Sequence, residues 1–117
     1  MEIKLQKANL DYVEEISGGD NDFKKELIEI FINQVPDFIA NMNKYLAENN
    51  LPDLAKEAHT AKSSVLIFKM EETGKTLKKI QLNAESNNLD SVPDMIELVK
   101  DEMENASADL SSLLKNL

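Results

Sequence analysis

Apolar residues recur along this chain at alternating steps of three and four, and that spacing is what limits its fold. In the C-terminal segment Val92, Ile96, Val99, Met103, Ala106, Leu110, Leu113 and Leu117 keep the step without a break. One side of an α-helix repeats at this period, so the segment predicts one long amphipathic helix. Pro93 is tolerated in its first turn, and Asp90 or Ser91 is available as a cap. A second stripe, Met70, Thr73, Leu77, Ile80 and Ala84, ends at Asn87-Asn88. A third runs through Leu51, Leu54, Ala58, Ala61, Val65 and Phe68, and a fourth through Phe23, Leu27, Phe31, Phe38, Met42 and Tyr45. Pro36 lies inside the fourth and predicts a kink or a reset of the helix there. A short first helix with Leu10, Val13 and Ile16 stops at Gly18-Gly19.

Connections of a few residues force neighbouring helices to run antiparallel. Four longer helices with one stripe each then predict an all-α, up-down-up-down four-helix bundle, with the short extra N-terminal helix as a lid. No repeat or linker divides residues 1–117, so a single domain is expected. A chain of 117 residues buries roughly two-thirds of its unfolded surface, enough for one core without staples. One stripe per helix closes that core without a second copy, so a monomer is expected. Ile28, Ile32 and Ile39 lie off the fourth stripe. Either the first helix covers them, or part of that surface, Ile28 and Ile32 in particular, stays open to a partner.

Composition narrows the chemistry. The absence of Cys removes disulfide scaffolds, zinc ribbons, iron–sulfur sites and any thiol nucleophile. All 13 basic residues are Lys, against 22 acids, for a net charge of −9. Such a surface repels phosphate backbones and anionic lipid, so neither nucleic acid nor membrane is an expected partner. The longest apolar run, Val65 to Phe68, is far short of the ~20 residues that span a bilayer. The start, Met1-Glu2-Ile3-Lys4-Leu5, lacks the apolar region of a signal peptide, so a cytoplasmic protein is expected and the sequon at Asn105 is not used. There is no glycine-rich phosphate loop, no Ser/His/Asp set and no HExxH. A di-metal carboxylate bundle needs two Glu-x-x-His pairs, whereas Lys56 stands three before the single histidine. No metal or cofactor of its own is expected.

That histidine, His59, is the one residue that collects chemistry around it. Ala58 belongs to the core stripe, so His59 lies about 100° round the helix, on the shoulder facing solvent. Its neighbours on that face are Ala55, Lys62 and Ser63, at −4, +3 and +4. The small residues leave the imidazole open to a bulky partner. Lys62 supplies a positive charge that favours a neutral, nucleophilic ring and can steady an incoming phosphoryl group. The turn after this helix falls near Met70, with His59 eleven residues before it and Gln81 eleven after. Both sit at one height, about 16 Å from the turn, and each directly follows a core residue, Ala58 and Ile80. Gln81 is therefore expected to reach the ring, bond one nitrogen and leave the other free, which selects a tautomer.

The stretch Ala58-His59-Thr60-Ala61-Lys62-Ser63-Ser64-Val65-Leu66-Ile67-Phe68 resembles the signature of histidine-containing phosphotransfer domains. Ile16-Ser17-Gly18-Gly19-Asp20, followed by an apolar helix through Phe31 and Val35-Pro36, is similar to that family's N-terminal half. The likeness covers residues 9–115. It implies a phosphorelay carrier in which His59 is reversibly phosphorylated, Lys62 stabilises phosphate charge, Gln81 orients the ring, and Ser63 keeps the face low for docking, on a surface that spacing also gives to Ala55. The implied partners are response-regulator receiver domains and a hybrid sensor histidine kinase, with magnesium held by the receiver. Two positions depart from the family pattern: Ser63 and Lys69 stand where Gly is common. Ser63 is still small, and Lys69 is expected to affect the helix end rather than the chemistry.

Three other readings use the same residues. The dimerising hairpin of a sensor kinase typically has an acid directly after its histidine, where this chain has Thr60, and it needs an ATP-binding domain as well. A helical phosphatase would use Gln81 to position water against a receiver's aspartyl phosphate. A pure interaction bundle would bind its partner with His59 incidental.

Overall fold

The structure, a computed structural model, describes residues 8–116. Within them α1 spans Asp11–Ser17, α2 Asn21–Ala47, α3 Leu51–Ile67, α4 Glu71–Glu85 and α5 Val92–Leu114. Met1–Leu5 and Leu117, on which expectations were placed, lie outside the described residues.

Three sharp helix ends set the turns. At the end of α3 the Met70 N–H reaches the Val65 carbonyl at 3.1 Å and the Lys69 N–H the Leu66 carbonyl at 3.0 Å, a Schellman motif. The same pair of bonds closes α2 through Asn50 and Asn49, and α4 through Asn88 and Asn87. Each motif needs one residue in the left-handed region, and these are Asn49, Lys69 and Asn87, with φ of 54°, 55° and 58°. Asparagine accepts this conformation more readily than most residues, whereas Lys69 bears a Cβ penalty with nothing local to offset it. Lys69→Gly is therefore expected to stabilise the fold by roughly 0.5–1 kcal/mol, read as a raised urea midpoint.

The turns make successive helices antiparallel, and α2, α3, α4 and α5 pack in that order around a ring that closes α5 on α2, with α3 and α4 the most intimate pair. Side chains fix the α2–α3 register. Asn41 Nδ2 donates to Glu57 Oε2 at 2.9 Å, and two turns away on both helices the Ser64 hydroxyl donates to Gln34 Oε1 at 3.1 Å. The core is the four stripes in contact: Phe31, Met42, Leu54, Ala58, Val65, Leu77, Ile80, Ile96, Met103 and Leu110 are all buried. This is the expected all-α bundle.

The N-terminal helix seats where α2 outruns its neighbours. The rings of Phe31 and Phe68 lie 4.9 Å apart, so the α3–α4 turn stands beside the middle of α2. Residues 21–30 project beyond it, and α1 packs there against α2. The Asn9 N–H donates to the Phe68 carbonyl at 2.7 Å, and Lys24 Nζ pairs with Glu14 Oε1 at 2.8 Å with its stem buried. Val13 and Ile28 are both wholly buried.

This packing corrects several expectations. Ile28 is a core residue rather than part of an open surface, Ile39 is buried too, and Ile32 is half-buried against the core. Phe23, assigned to the stripe, is exposed because the projecting part of α2 turns Lys24 and Ile28 inward instead. Ile16 is exposed as well, its place on the inner face of α1 being taken by Ser17. Pro36 does not reset α2, which is helical throughout; the ring sits on an exposed face and leaves the core side intact. Ser91 occupies the N-cap of α5, but its side chain makes no capping bond. Among the described residues no helix is long and apolar enough to cross a membrane.

Candidate functional site

The α3–α4 seam is a ladder in which one turn back along α3 matches one turn forward along α4. Its rungs, moving toward the turn, are Ala55 with Glu85, His59 with Gln81, Lys62 with Lys78, and Leu66 with Gly74. Two of these are fixed by atoms. His59 Nδ1 lies 3.3 Å from Gln81 Oε1, and a Cβ built on Gly74 would stand 2.9 Å from Leu66 Cδ2. Ala58 and Ile80, both wholly buried, anchor the two helices directly beneath the His59 rung.

Chemistry follows from the His59 contact. An amide oxygen can only accept, so this contact is a hydrogen bond when the imidazole carries its proton on Nδ1, the tautomer whose neutral ring has its lone pair at Nε2. His59 is exposed, and among the described residues its Nε2 has no protein partner. The Gln81 amide nitrogen in turn donates to Glu85 Oε2 at 3.3 Å. Sequence spacing placed Gln81 at the ring, and the structure brings the two together.

The rungs on either side differ in charge. Toward the turn, Lys62 and Lys78 line one groove with Leu66, Glu71, Gly74 and Lys75. Lys75 pairs with Glu72 at 3.2 Å, but neither Lys62 nor Lys78 has an acidic partner among the described residues. In a chain of 22 acids, three lysines against one acid, Glu71, among the lining residues of a single groove leave a local positive bias suited to an anion. Away from the turn, the Ala55 rung ends in the Glu85 carboxylate.

The expected docking residues separate. Ser63 is exposed, and its hydroxyl bonds back to the His59 carbonyl at 3.3 Å, which keeps the surface low. Ala55 is buried and lines a groove with Pro52, Ala84 and Glu85, so it shapes the floor instead of presenting a surface of its own. Ile28 and Ile32 do not join the His59 face, for the reasons given above. Their place is taken by exposed Leu66, which lines a groove with Ser63, Ile67 and Tyr12. Leu66 was within reach of sequence reasoning, two turns from His59 on one face. Tyr12 was not, since helical spacing does not say where α1 docks.

Comparisons with known proteins bear on the family and the fold. The Hpt domain model matches residues 26–109. The phosphorelay intermediate protein YPD1 of Candida albicans is 30% identical over 69 residues, which is 59% of this chain and 38% of that protein. The chain therefore spans well under half the length of that relative. The crystal structure of histidine-containing phosphotransfer protein B from Pseudomonas aeruginosa superposes with a TM-score of 0.88 over 97% of this chain and 99% of that one, at 13% identity. That likeness is one of fold. The family match takes in most of α2, all of α3 and α4 and most of α5, with the His59–Gln81 rung at its centre, and the chain belongs to the Hpt domain family.

Proposed function

We propose that the chain is a phosphocarrier in a phosphorelay, taking a phosphoryl group from a receiver-domain aspartate onto His59 and returning it to another. The observation that carries this reading is the His59–Gln81 contact in a chain of this family, which leaves Nε2 unpartnered and open. In the forward step the Nε2 lone pair forms the N–P bond as the bond from phosphorus to the aspartyl oxygen breaks, and the aspartate leaves as carboxylate. The ring becomes a phosphorylated imidazolium that keeps its Nδ1 proton. Gln81 then accepts a hydrogen bond from a charged donor, which is stronger than one from a neutral ring. The reverse step needs no other reactant.

Positioning and charge dominate phosphoryl transfer, so the chain's contribution is the oriented ring and Lys62. The divalent metal for the step is assigned to the receiver, because the acid that reaches the site, Glu85, is already engaged by Gln81. The docking face is Tyr12, Ser63 and Leu66, and the partners are receiver domains, among them that of a hybrid sensor kinase. The chain supplies no kinase activity of its own.

The test is transfer from a panel of phosphorylated receiver domains, read as acid-labile, base-stable label on this chain. Label lost from receivers as free phosphate, with none passing through the chain, would favour a phosphatase. No transfer and no loss would leave an interaction bundle. Lys62→Ala is expected to slow transfer roughly tenfold to a hundredfold, as removal of one hydrogen bond to a charged group does, with the fold unchanged by circular dichroism.

A further inference from the structure

We infer that Glu85 is a positioning residue: by holding the Gln81 amide it decides which nitrogen of His59 carries the proton. Three side chains form one path. His59 Nδ1 contacts Gln81 Oε1 at 3.3 Å, and the Gln81 amide nitrogen donates to Glu85 Oε2 at 3.3 Å. A glutamine amide has an accepting end and a donating end, and either could face the ring. A carboxylate only accepts. Turned the other way, Gln81 would set its own oxygen against the Glu85 carboxylate, two acceptors without a proton between them. Glu85 therefore drives the amide nitrogen toward itself and the amide oxygen toward His59, and an accepting atom at Nδ1 requires the Nδ1–H tautomer.

Stability does not account for Glu85. It is the last residue of α4, a helix with no basic residue in its last turn. A negative charge there opposes the helix dipole, offsetting what a Gln–Glu pair one turn apart contributes. Nor does Glu85 belong to a salt bridge among the described residues; its hydrogen bond to Gln81 is the one it makes through its carboxylate. An acid at the wrong end of a helix, one residue removed from the candidate phosphoacceptor, is a local rule broken at a site.

Because His59 is the only histidine, the nitrogen-15 spectrum of the full chain contains a single ring system. Its two nitrogens report the ratio of Nδ1–H to Nε2–H on the neutral ring. Glu85→Ala is expected to lower that ratio about twofold to tenfold, the scale of one net hydrogen bond. Glu85→Gln offers a donor as well as an acceptor, so it imposes neither orientation on Gln81 and is expected to lower the ratio much as Ala does. Glu85→Lys offers only donors, so it should draw the Gln81 oxygen away, bring the amide nitrogen to Nδ1 and reverse the preference. An unchanged ratio in both the Ala and Lys variants would overturn the inference, as would a Gln variant that keeps the wild-type ratio while Lys fails to reverse it. Urea midpoints are expected to move little, which separates orientation from folding.

The tautomer ratio is read on the unphosphorylated chain, and only its consequence rests on the proposed function. With phosphoramidate as the donor, label on the wild-type chain should form at Nε2, and Glu85→Lys should shift a measurable share to Nδ1. If the chain takes no phosphoryl group at all, the proposed function falls while the ratio still decides the role of Glu85.

Discussion

Replacing His59 by Gln leaves the bundle folded and takes phosphoryl acceptance to background. The side chain is exposed and sits over a seam whose packing belongs to Ala58 and Ile80 beneath it. An exposed substitution of this kind moves stability by no more than about 0.5 kcal/mol. Its chemical effect is complete. No other histidine exists to take the group, and there is no cysteine. The neighbouring hydroxyls are poor substitutes: Ser63 and Thr60 each bond back to a carbonyl of their own helix, at 3.3 and 3.1 Å, and neither has a base to activate it. Glutamine keeps an amide beside Gln81 and much of the imidazole's bulk, so a receiver can still dock. The measurement is the transfer assay with both proteins in parallel, plus receiver binding by calorimetry. Wild-type binding with label at background is the expected pair of results. Label that persists on the variant would place the acceptor elsewhere.

The site was legible in the sequence where a repeat period determined it. His59 and Gln81 each follow a stripe residue and lie equally far from one turn, so helix geometry alone put them on one rung, and Lys62 with Ser63 followed from steps of three and four. By the same arithmetic Lys78 and Glu85 stand at −3 and +4 from Gln81. Spacing alone does not single them out, because charged residues on polar faces are ordinarily solvation, and nothing in a sequence says that Lys78 lacks a counter-ion. What periodicity does not contain is the docking of a seven-residue helix. Where α1 sits depends on how far α2 overhangs the α3–α4 turn, which is a difference in helix lengths and caps. Hence spacing leaves Ile28 either covered by α1 or open and the structure buries it, while Tyr12, which spacing does not place, lines a groove with Ser63. Lys69 is an intermediate case. Its departure from the family's glycine was visible, and its left-handed backbone shows that the departure bears on the helix end.

Phe68→Ala is expected to destabilise the chain by about 3–5 kcal/mol, the range for truncating a buried aromatic residue. Domains of this kind hold about 5–15 kcal/mol in all, so one substitution removes a large fraction of the total. Phe68 is wholly buried, its ring meets Phe31 at 4.9 Å and 50°, and it closes α3. It also receives the Asn9 N–H on its carbonyl, so the same residue joins α2, the α3–α4 turn and the segment leading into α1. Little can collapse into the vacated space, because Val65 and Met70 on either side are buried and already committed to the core. Phe31→Ala should cost a similar amount. The double variant should cost less than the two together by about 0.5–1.5 kcal/mol, the coupling typical of an aromatic pair. Phe68→Leu, which fills most of the volume, should cost much less than Ala. Urea denaturation measures all four, and hydrogen exchange adds where the loss is felt: protection in α1 should fall first, since its seat is the end of the bundle that Phe68 closes. The His59–Gln81 rung lies more than two turns down the seam over its own buried pair, so the molecules that remain folded should still accept phosphoryl groups. A cost below about 1 kcal/mol for Phe68→Ala would show that the end of the bundle repacks freely, and α1 could not then owe its position to this contact.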